Sequence, residues 1–380
     1  MTIYFLQFYA KKTCTLKINN SLYEIKINGI LYKLLFEPDL KTININKKDY
    51  TINNIDEFFS DVKIFRYGEP IEDNSSYNNI VYSFDRNYFS GGFASMYSVI
   101  WNSKDIMKIR INNIINYDDY DLFSYYLNNL LLILNKKNIK TNFCIIVIDN
   151  CVVPKEFIET KCFKGGNHLL KLSNFARLII GHIISVNRLL YLDADTIIQA
   201  DLTEIFKKIN KLSDSNFVIL GKKSLLTYSN IINNNNVKKF KNINLKLSVV
   251  YTGTMIIFPK KFVKFFNNII EYVKLHNNTE GGIYKLFTMS LINLALYSDD
   301  NKNIGTIDNI INNIADLGFK TDIPLDIIEK ADILDWSGVY KPWYINGLYR
   351  QFWEKYNLLF NSNELMTQDK NTIESWSVNN

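Results

Sequence analysis

The chain begins with short runs in which apolar and polar positions alternate. Leu22 to Ile27 alternates, Asn28-Gly29 follows, and Ile30 to Phe36 continues apolar. Asn-Gly between two such runs predicts a β-hairpin, because both turn positions favour positive φ. Thr42 to Ile45 and Tyr50 to Ile52 predict two more short strands. Residues 1–75 therefore read as a small β-rich accessory domain, and the polar stretch Pro70 to Asn79 as a linker.

Beyond the linker the period changes. Ile80 to Phe84 is an apolar run with a polar tip, Asp85-Arg86-Asn87, and a helical pattern follows from Gly91 to Trp101. A long helical pattern covers about 118–136, and Phe143 to Ile148 has the continuous β-branched character of a strand buried on both faces. His168 to Ile183 reads as a helix and Leu189 to Leu192 as a buried strand. Asp201 and Glu204 then form a capping-box pattern. Asn233 to Asn236 reads as a loop tip, Val249 to Phe258 as a strand, and helices are expected from Lys260 and from Ile283. This alternation predicts an α/β fold, a mostly parallel sheet flanked by helices, over residues 76–345. A C-terminal helical extension or tail is expected over 346–380. Ligands in such sheets bind beyond the carboxyl ends of the strands.

Composition narrows this only a little. With 380 residues and 47% hydrophobic positions the chain can bury a large core. The net charge of +6 is mild and its lysines are scattered, so a nucleic-acid partner is not expected, while an anionic ligand is compatible. Cys14, Cys144, Cys151 and Cys162 form no CxxC pair and read as reduced thiols. No segment has the length and apolarity of a membrane span, and the expected location is cytoplasmic.

The sharpest chemical feature is Asp193-Ala194-Asp195 at the carboxyl end of a buried strand. Two acids one residue apart repel unless a cation sits beside them, and a hard divalent ion such as Mn²⁺ or Mg²⁺ meets that need and suits a diphosphate. The plainer reading is a solvated acidic turn.

The surrounding residues resemble glycosyltransferase family eight, the glycogenin and bacterial galactosyltransferase group with a GT-A fold. Leu172 to Leu202, with Arg177 on a helix ahead of the acid pair, carries the closest likeness. Ile80 to Tyr88 resembles the family's opening strand and nucleotide loop, Val249 to Ile257 its strand with a small-Gly pair, and Ile333 to Trp343 its closing H-x-x-G-x-x-K-P-W motif. The likeness implies a nucleotide-sugar transferase domain that uses a UDP-sugar. The acceptor would be a glycan, a protein or a small molecule. It implies that Asp85, Asn87 and Tyr88 hold the base, with Tyr88 stacking, and that Arg177, Ala194, Thr252 and Gly253 contact the donor. It implies that Asp193 and Asp195 bind metal, that Gly338 and Lys341 close over the diphosphate, and that configuration is retained. Lys341 would offset leaving-group charge, and Pro342-Trp343 would pack the loop.

Three positions depart from the family pattern. Asp335 stands where the third metal ligand is a histidine, and an oxygen ligand is an acceptable replacement there. Tyr251 replaces an asparagine that contacts the donor sugar. Thr288-Met289 replaces an Asp-Gln pair that reaches the transferred sugar, leaving Glu280 as a carboxylate nearby in sequence. Two other functions remain open: a binding protein that has lost catalysis, and a nucleotidyltransferase, of which Gly91-Gly92 is a weak echo. For residues 1–75, glycan binding is a third.

Overall fold

The computed structural model describes residues 3–361 except 19–20, 37–41, 52–53, 74–75, 161–170, 213–217, 241–242, 299–303 and 320. Cys162, His168 and most of the expected C-terminal tail lie outside the described residues.

The N-terminal strands are β1 (Tyr4–Ala10), β2 (Cys14–Ile18), β3 (Ser21–Ile25), β4 (Leu31–Phe36), β5 (Thr42–Ile45), β6 (Lys48–Thr51) and β7 (Phe59–Arg66). There follow β8 (Asn78–Ser83), α1 (Phe89–Asn102), β9 (Ile109–Asn116), α2 (Tyr120–Lys136) and β10 (Asn142–Ile148). Three short helices, α3 (Lys155–Ile158), α4 (Leu172–Ala176) and α5 (Ile180–Ile183), precede β11 (Leu189–Leu192), β12 (Thr196–Ile198), α6 (Leu202–Asn210) and β13 (Ile219–Thr227). Next come α7 (Tyr228–Ile231), β14 (Ser248–Ile257), α8 (Pro259–Asn277) and α9 (Phe287–Ser298). The chain then adds β15 (Ile304–Thr306), β16 (Ile314–Asp316), α10 (Leu325–Lys330), β17 (Ile333–Asp335) and α11 (Arg350–Glu354).

Ten strands form one sheet in the order β15-β13-β14-β11-β8-β9-β10-β4-β1-β7. The run β11-β8-β9-β10-β4 is parallel, as the alternation predicts, and β14 returns antiparallel beside β11. Apolar cores cover both faces. Leu190, Leu192, Phe93 and Phe123 lie in one, and Leu189, Tyr191, Phe266 and Leu291 in the other. Alternate residues of β11 serve opposite faces, the period-2 geometry of a strand covered on both sides.

The N-terminal region is β-rich, as expected, and its strands divide between two sheets. Only β3-β2-β5-β6 form a sheet of their own, whereas β4 pairs parallel with β10 and carries β1 and β7 outward. Every residue of β4 is buried, so it suits the interior of a large sheet better than a two-strand pairing with the amphipathic β3. Asn28-Gly29 is therefore a bend between sheets, not a hairpin turn, with Gly29 at φ +74°. A tight hairpin turn is formed by Asn46-Lys47, at φ 51° and 67°, between β5 and β6.

Residues 68–73, of which 70–73 belong to the expected linker, are fastened along α5 and the residues just after it. Gly68 N donates to His182 O (3.0 Å) and Asp73 N to Ser185 O (2.8 Å). The helix expected to reach Ile183 is split into α4 and α5, with Arg177 at the break. Asp201 caps α6 through Thr203 N (3.0 Å), but Glu204 pairs with Lys207 and does not complete a box. Asn233 and Asn236, expected at a loop tip, bind the carbonyls of Gly281, Glu280 and Gly282.

Candidate active site

β11 is Leu-Leu-Tyr-Leu, wholly buried, and it delivers Asp193 at its carboxyl end. Asp193 N donates to Gly253 O of β14 (2.8 Å), which fixes where the strand stops. The chain then crosses to a second small sheet, β12-β17-β16, where Thr196 lies opposite Asp335 and Asp195 O accepts from Trp336 N (2.9 Å). The Asp-Ala-Asp turn thus bridges two sheets, and the closing motif docks on it through backbone pairing.

Asp193 is held by buried donors. Arg177 donates from Nη2 to Oδ1 (2.8 Å) and from Nη1 to Oδ2 (3.4 Å), and the Tyr191 hydroxyl donates to Oδ1 (2.7 Å). Arg177 also reaches Thr252 O (3.3 Å) and Asn174 Oδ1 (3.1 Å) and lies over the Tyr191 ring, so it is a buried clamp and not a surface ion pair. Burial pushes the Asp193 carboxyl up to about 6, with Arg177 opposing and Asp195 adding to the rise. Thr252 and Gly253 act here through their carbonyls.

Asp195 pairs with Lys341, whose ammonium also donates to Trp336 O and sits 5.8 Å from the centre of the Tyr88 ring. Asp195 Oδ1 has no partner, and neither has either oxygen of Asp335, which is 1% exposed. The Tyr251 hydroxyl faces Asp335 without forming a well-aligned hydrogen bond. Burial, then Asp195 and Asp316, raise the Asp335 carboxyl well above the usual range. The two departures Tyr251 and Asp335 therefore meet in space.

Close backbone approaches hold this cluster. A Cβ on Gly91 of α1 would lie 2.3 Å from the Trp343 ring and 2.7 Å from Ala194 O. A Cβ on Gly338 would lie 2.1 Å from Gly318 O. Gly91-Gly92 is thus helix packing, not a phosphate loop, which removes the one feature that suggested a nucleotidyltransferase. Trp343 is buried and meets Tyr88 edge-on at 5.7 Å.

Beside the cluster, a cavity of about 400 Å³ opens at the carboxyl ends of β8, β9 and β10, lined by Asp85, Arg86, Asn87, Asn116, Asp119 and Lys171 among others. Asp85 accepts from Asn87 N (2.9 Å) and pairs with Lys171 (2.8 Å). Tyr88 does not line this cavity. Its ring lies instead against Trp343 and Lys341.

The other residues weighed for the sugar pocket lie in the turn after α8 and on α9. Glu280 is exposed in the turn after α8, its carbonyl held by Asn236. Thr288 and Met289 lie in the first turn of α9, which is clamped to β14 by the Asn293 amide on Val250 N (2.7 Å) and Val250 O (2.9 Å). Sequence reasoning missed Tyr191 and Asp316. Tyr191 is the polar tip in an otherwise apolar strand, two residues before Asp193 and so on its side of the strand, which was a readable signal. Asp316 had none, because only the pairing of β16 with β17 brings it beside Asp335.

Among the described residues, no three His, Cys, Asp or Glu side chains stand gathered at metal-binding distance. The buried, unpartnered oxygens of Asp195 and Asp335 nevertheless form a hard, all-oxygen donor set of the kind Mn²⁺ or Mg²⁺ takes. The residues fit such an ion chemically, once Lys341 yields Asp195.

The family comparison agrees with this geometry. The model of glycosyl transferase family 8 matches residues 79–347, the span from the first site strand to just past Lys341. The chain belongs to glycosyl transferase family 8. No curated protein matches it in sequence. Among solved structures it is similar to the apo bifunctional glycosyltransferase WbbM, with a TM-score of 0.55 and 15% identity over 83% of this chain and 55% of that one. It is also similar to the apo glycosyltransferase GlyE of Streptococcus pneumoniae TIGR4, with a TM-score of 0.47 and 18% identity over 80% and 64% of the two chains. Mouse xyloside xylosyltransferase 1 gives a TM-score of 0.47 and 12% identity over 68% and 97%. This chain spans about half of WbbM and under two thirds of GlyE. The WbbM likeness establishes the glycosyltransferase fold. No helix among the described residues is long and apolar enough to cross a membrane.

Proposed function

We propose that this protein is a retaining glycosyltransferase that moves a hexose from a UDP-sugar to a glycan, protein or small-molecule acceptor. One observation carries the reading. A polar cavity of about 400 Å³ opens at the carboxyl ends of β8, β9 and β10, and a buried set of acids and cations, Asp193, Asp195, Asp335, Arg177 and Lys341, gathers past the carboxyl end of β11, the strand beside β8.

In this reading Asp85 and Asn87 hold the uracil end of the donor. Lys341 leaves Asp195 for the diphosphate, where its charge offsets the charge growing on the leaving group. Gly338 lets the closing loop pack tightly over that site. Arg177 and Tyr191 keep Asp193 fixed, and the carbonyls of Thr252 and Gly253 fix Arg177 and Asp193 in turn. Asp195 and Asp335, with Asp193 beside them, are the residues that would hold Mn²⁺ or Mg²⁺, whose chemistry when bound is neutralisation of the diphosphate. Retention of configuration and the use of uridine follow from the family resemblance.

A second reading, a binding protein without turnover, draws on one observation: the Lys341 ammonium is engaged by both Asp195 and Trp336 O. Calorimetric titration of UDP with and without Mn²⁺, followed by a search for UDP release from UDP-sugars, tests the proposal. Binding without release from any donor would favour the second reading.

A further inference from the structure

The cavity at the ends of β8, β9 and β10 holds a lysine that no motif accounts for. Lys171 lies one residue before the tract Leu172 to Leu202, lines the cavity, and pairs through its ammonium with Asp85 Oδ2 (2.8 Å). Its backbone is fixed from two sides. Lys171 O accepts from Asn174 N (3.0 Å) and Phe175 N (3.2 Å), and the Ser83 hydroxyl, at the end of β8, donates to Ser173 O (2.9 Å). The lysine side chain is 41% exposed against 13% for Asp85, so a ligand can reach the ammonium while the carboxylate is mostly enclosed. An ion pair so exposed contributes little to stability, so folding alone does not require it there. Arg86, the second cation lining the cavity, is already bound to Asp119 and to Asp118 O. Asp85 Oδ1 accepts from Asn87 N, so each carboxylate oxygen carries one bond and keeps room for another. An ammonium has three N–H donors, and Asp85 takes one. The pair therefore offers an acceptor and a donor side by side. A base edge with an N–H next to a keto oxygen matches that order, as uracil does at N3 and O4. Cytosine presents a bare nitrogen next to an amine there, which sets acceptor against acceptor and donor against donor.

We propose that Lys171 donates to the keto oxygen of the base while Asp85 accepts from the adjacent ring N–H, so that Lys171 sets a preference for uracil over cytosine. This rests on the nucleotide-sugar reading of the same cavity and adds a specificity-determining residue to it. A site built to hydrogen-bond a polar group discriminates strongly against an analogue that leaves its donor unpaired.

The test measures affinities of the full-length protein, with Mn²⁺ present, for UDP, CDP, GDP and uridine. Wild type is expected to prefer UDP to CDP by at least about tenfold, the difference expected for a hydrogen bond to a charged group. Lys171→Met, which keeps the length of the stem and removes the donors, should lower the affinity for UDP and for uridine at least about tenfold. It should leave the affinity for CDP within about twofold of wild type, so that the preference collapses. Lys171→Arg, which restores charged donors, should recover most of it. If Lys171→Met keeps the wild-type ratio of UDP to CDP affinity, the assignment of Lys171 is wrong and the proposed function stands. An equal loss for UDP and CDP that spares uridine would overturn the assignment in the same way, by showing that the lysine serves the phosphates. Guanine presents the same N–H and keto edge, so a wild type that prefers GDP to UDP would overturn the assignment to uracil. If the wild-type protein binds none of the four, the proposed function fails, and the Lys171 assignment falls with it.

Discussion

Arg177 and Asp193 form the pair on which the site is built, and its worth can be measured. Their side chains are 9% and 22% exposed, at 2.8 Å, and Arg177 also holds Thr252 O and Asn174 Oδ1. Arg177→Met leaves Asp193 with the Tyr191 hydroxyl as its side-chain donor. Removing one partner of a buried ion pair costs about 3–5 kcal/mol, because the other charge stays desolvated. The partial exposure of Asp193 places the cost near the bottom of that range, about 3 kcal/mol. At roughly 2 °C per kcal/mol for a large chain, the melting temperature should fall by about 6 °C. Asp193→Asn strands the guanidinium and should cost a similar amount. The double variant removes both charges, so its cost should be less than the sum, with a coupling of at least about 2 kcal/mol. Denaturant unfolding of the four proteins gives this coupling. Additivity within about 0.5 kcal/mol would show that the pair does not hold the site together.

Two further outcomes follow from the fold. A chain beginning at Ser76 loses β1, β4 and β7, uncovers the edge of β10, and discards buried Phe5, Leu6, Phe8, Leu31, Leu34 and Leu35. At about 1.5–3 kcal/mol for each such side chain the loss is about as large as the whole stability of an ordinary domain. That chain should aggregate, and a soluble, cooperatively unfolding product would contradict the sheet order. His182 stacks on Tyr67 (4.9 Å) with both ring nitrogens buried and unpartnered, and burial lowers its pKa to about 4. The unfolded chain, with a histidine near 6.5, takes the proton first, so stability should fall as pH drops from about 6.5 to 4, by at most about 3 kcal/mol. His182→Phe should flatten that part of the stability–pH curve, and an unchanged curve would place the acid sensitivity elsewhere.

The parallel heart of the molecule was legible because its strands are apolar on both faces and separated by helical periods. The motif residues were legible because strand ends carry the chemistry in such folds. Local pattern misled at Asn28-Gly29, where a favourable turn signal was overridden by the burial of β4 in a larger sheet. Nor could local pattern show that Arg177 clamps Asp193 and Thr252, because those partners are distant in sequence. Asp316 was invisible for the same reason, since its neighbourhood with Asp335 exists only through a non-local strand pairing.

The most direct test of the central claim is calorimetry of UDP binding to the full-length protein as a function of Mn²⁺, repeated with Asp195→Asn and Asp335→Ala, with UDP release from a panel of UDP-sugars read in parallel. The account predicts that UDP binds wild type at least about tenfold more tightly with Mn²⁺ than without, and that a UDP-sugar is slowly turned over. It predicts that Asp195→Asn abolishes the Mn²⁺ effect and that Asp335→Ala weakens it several-fold. UDP affinity independent of Mn²⁺ in wild type, or identical in all three proteins, with no donor consumed, would contradict it.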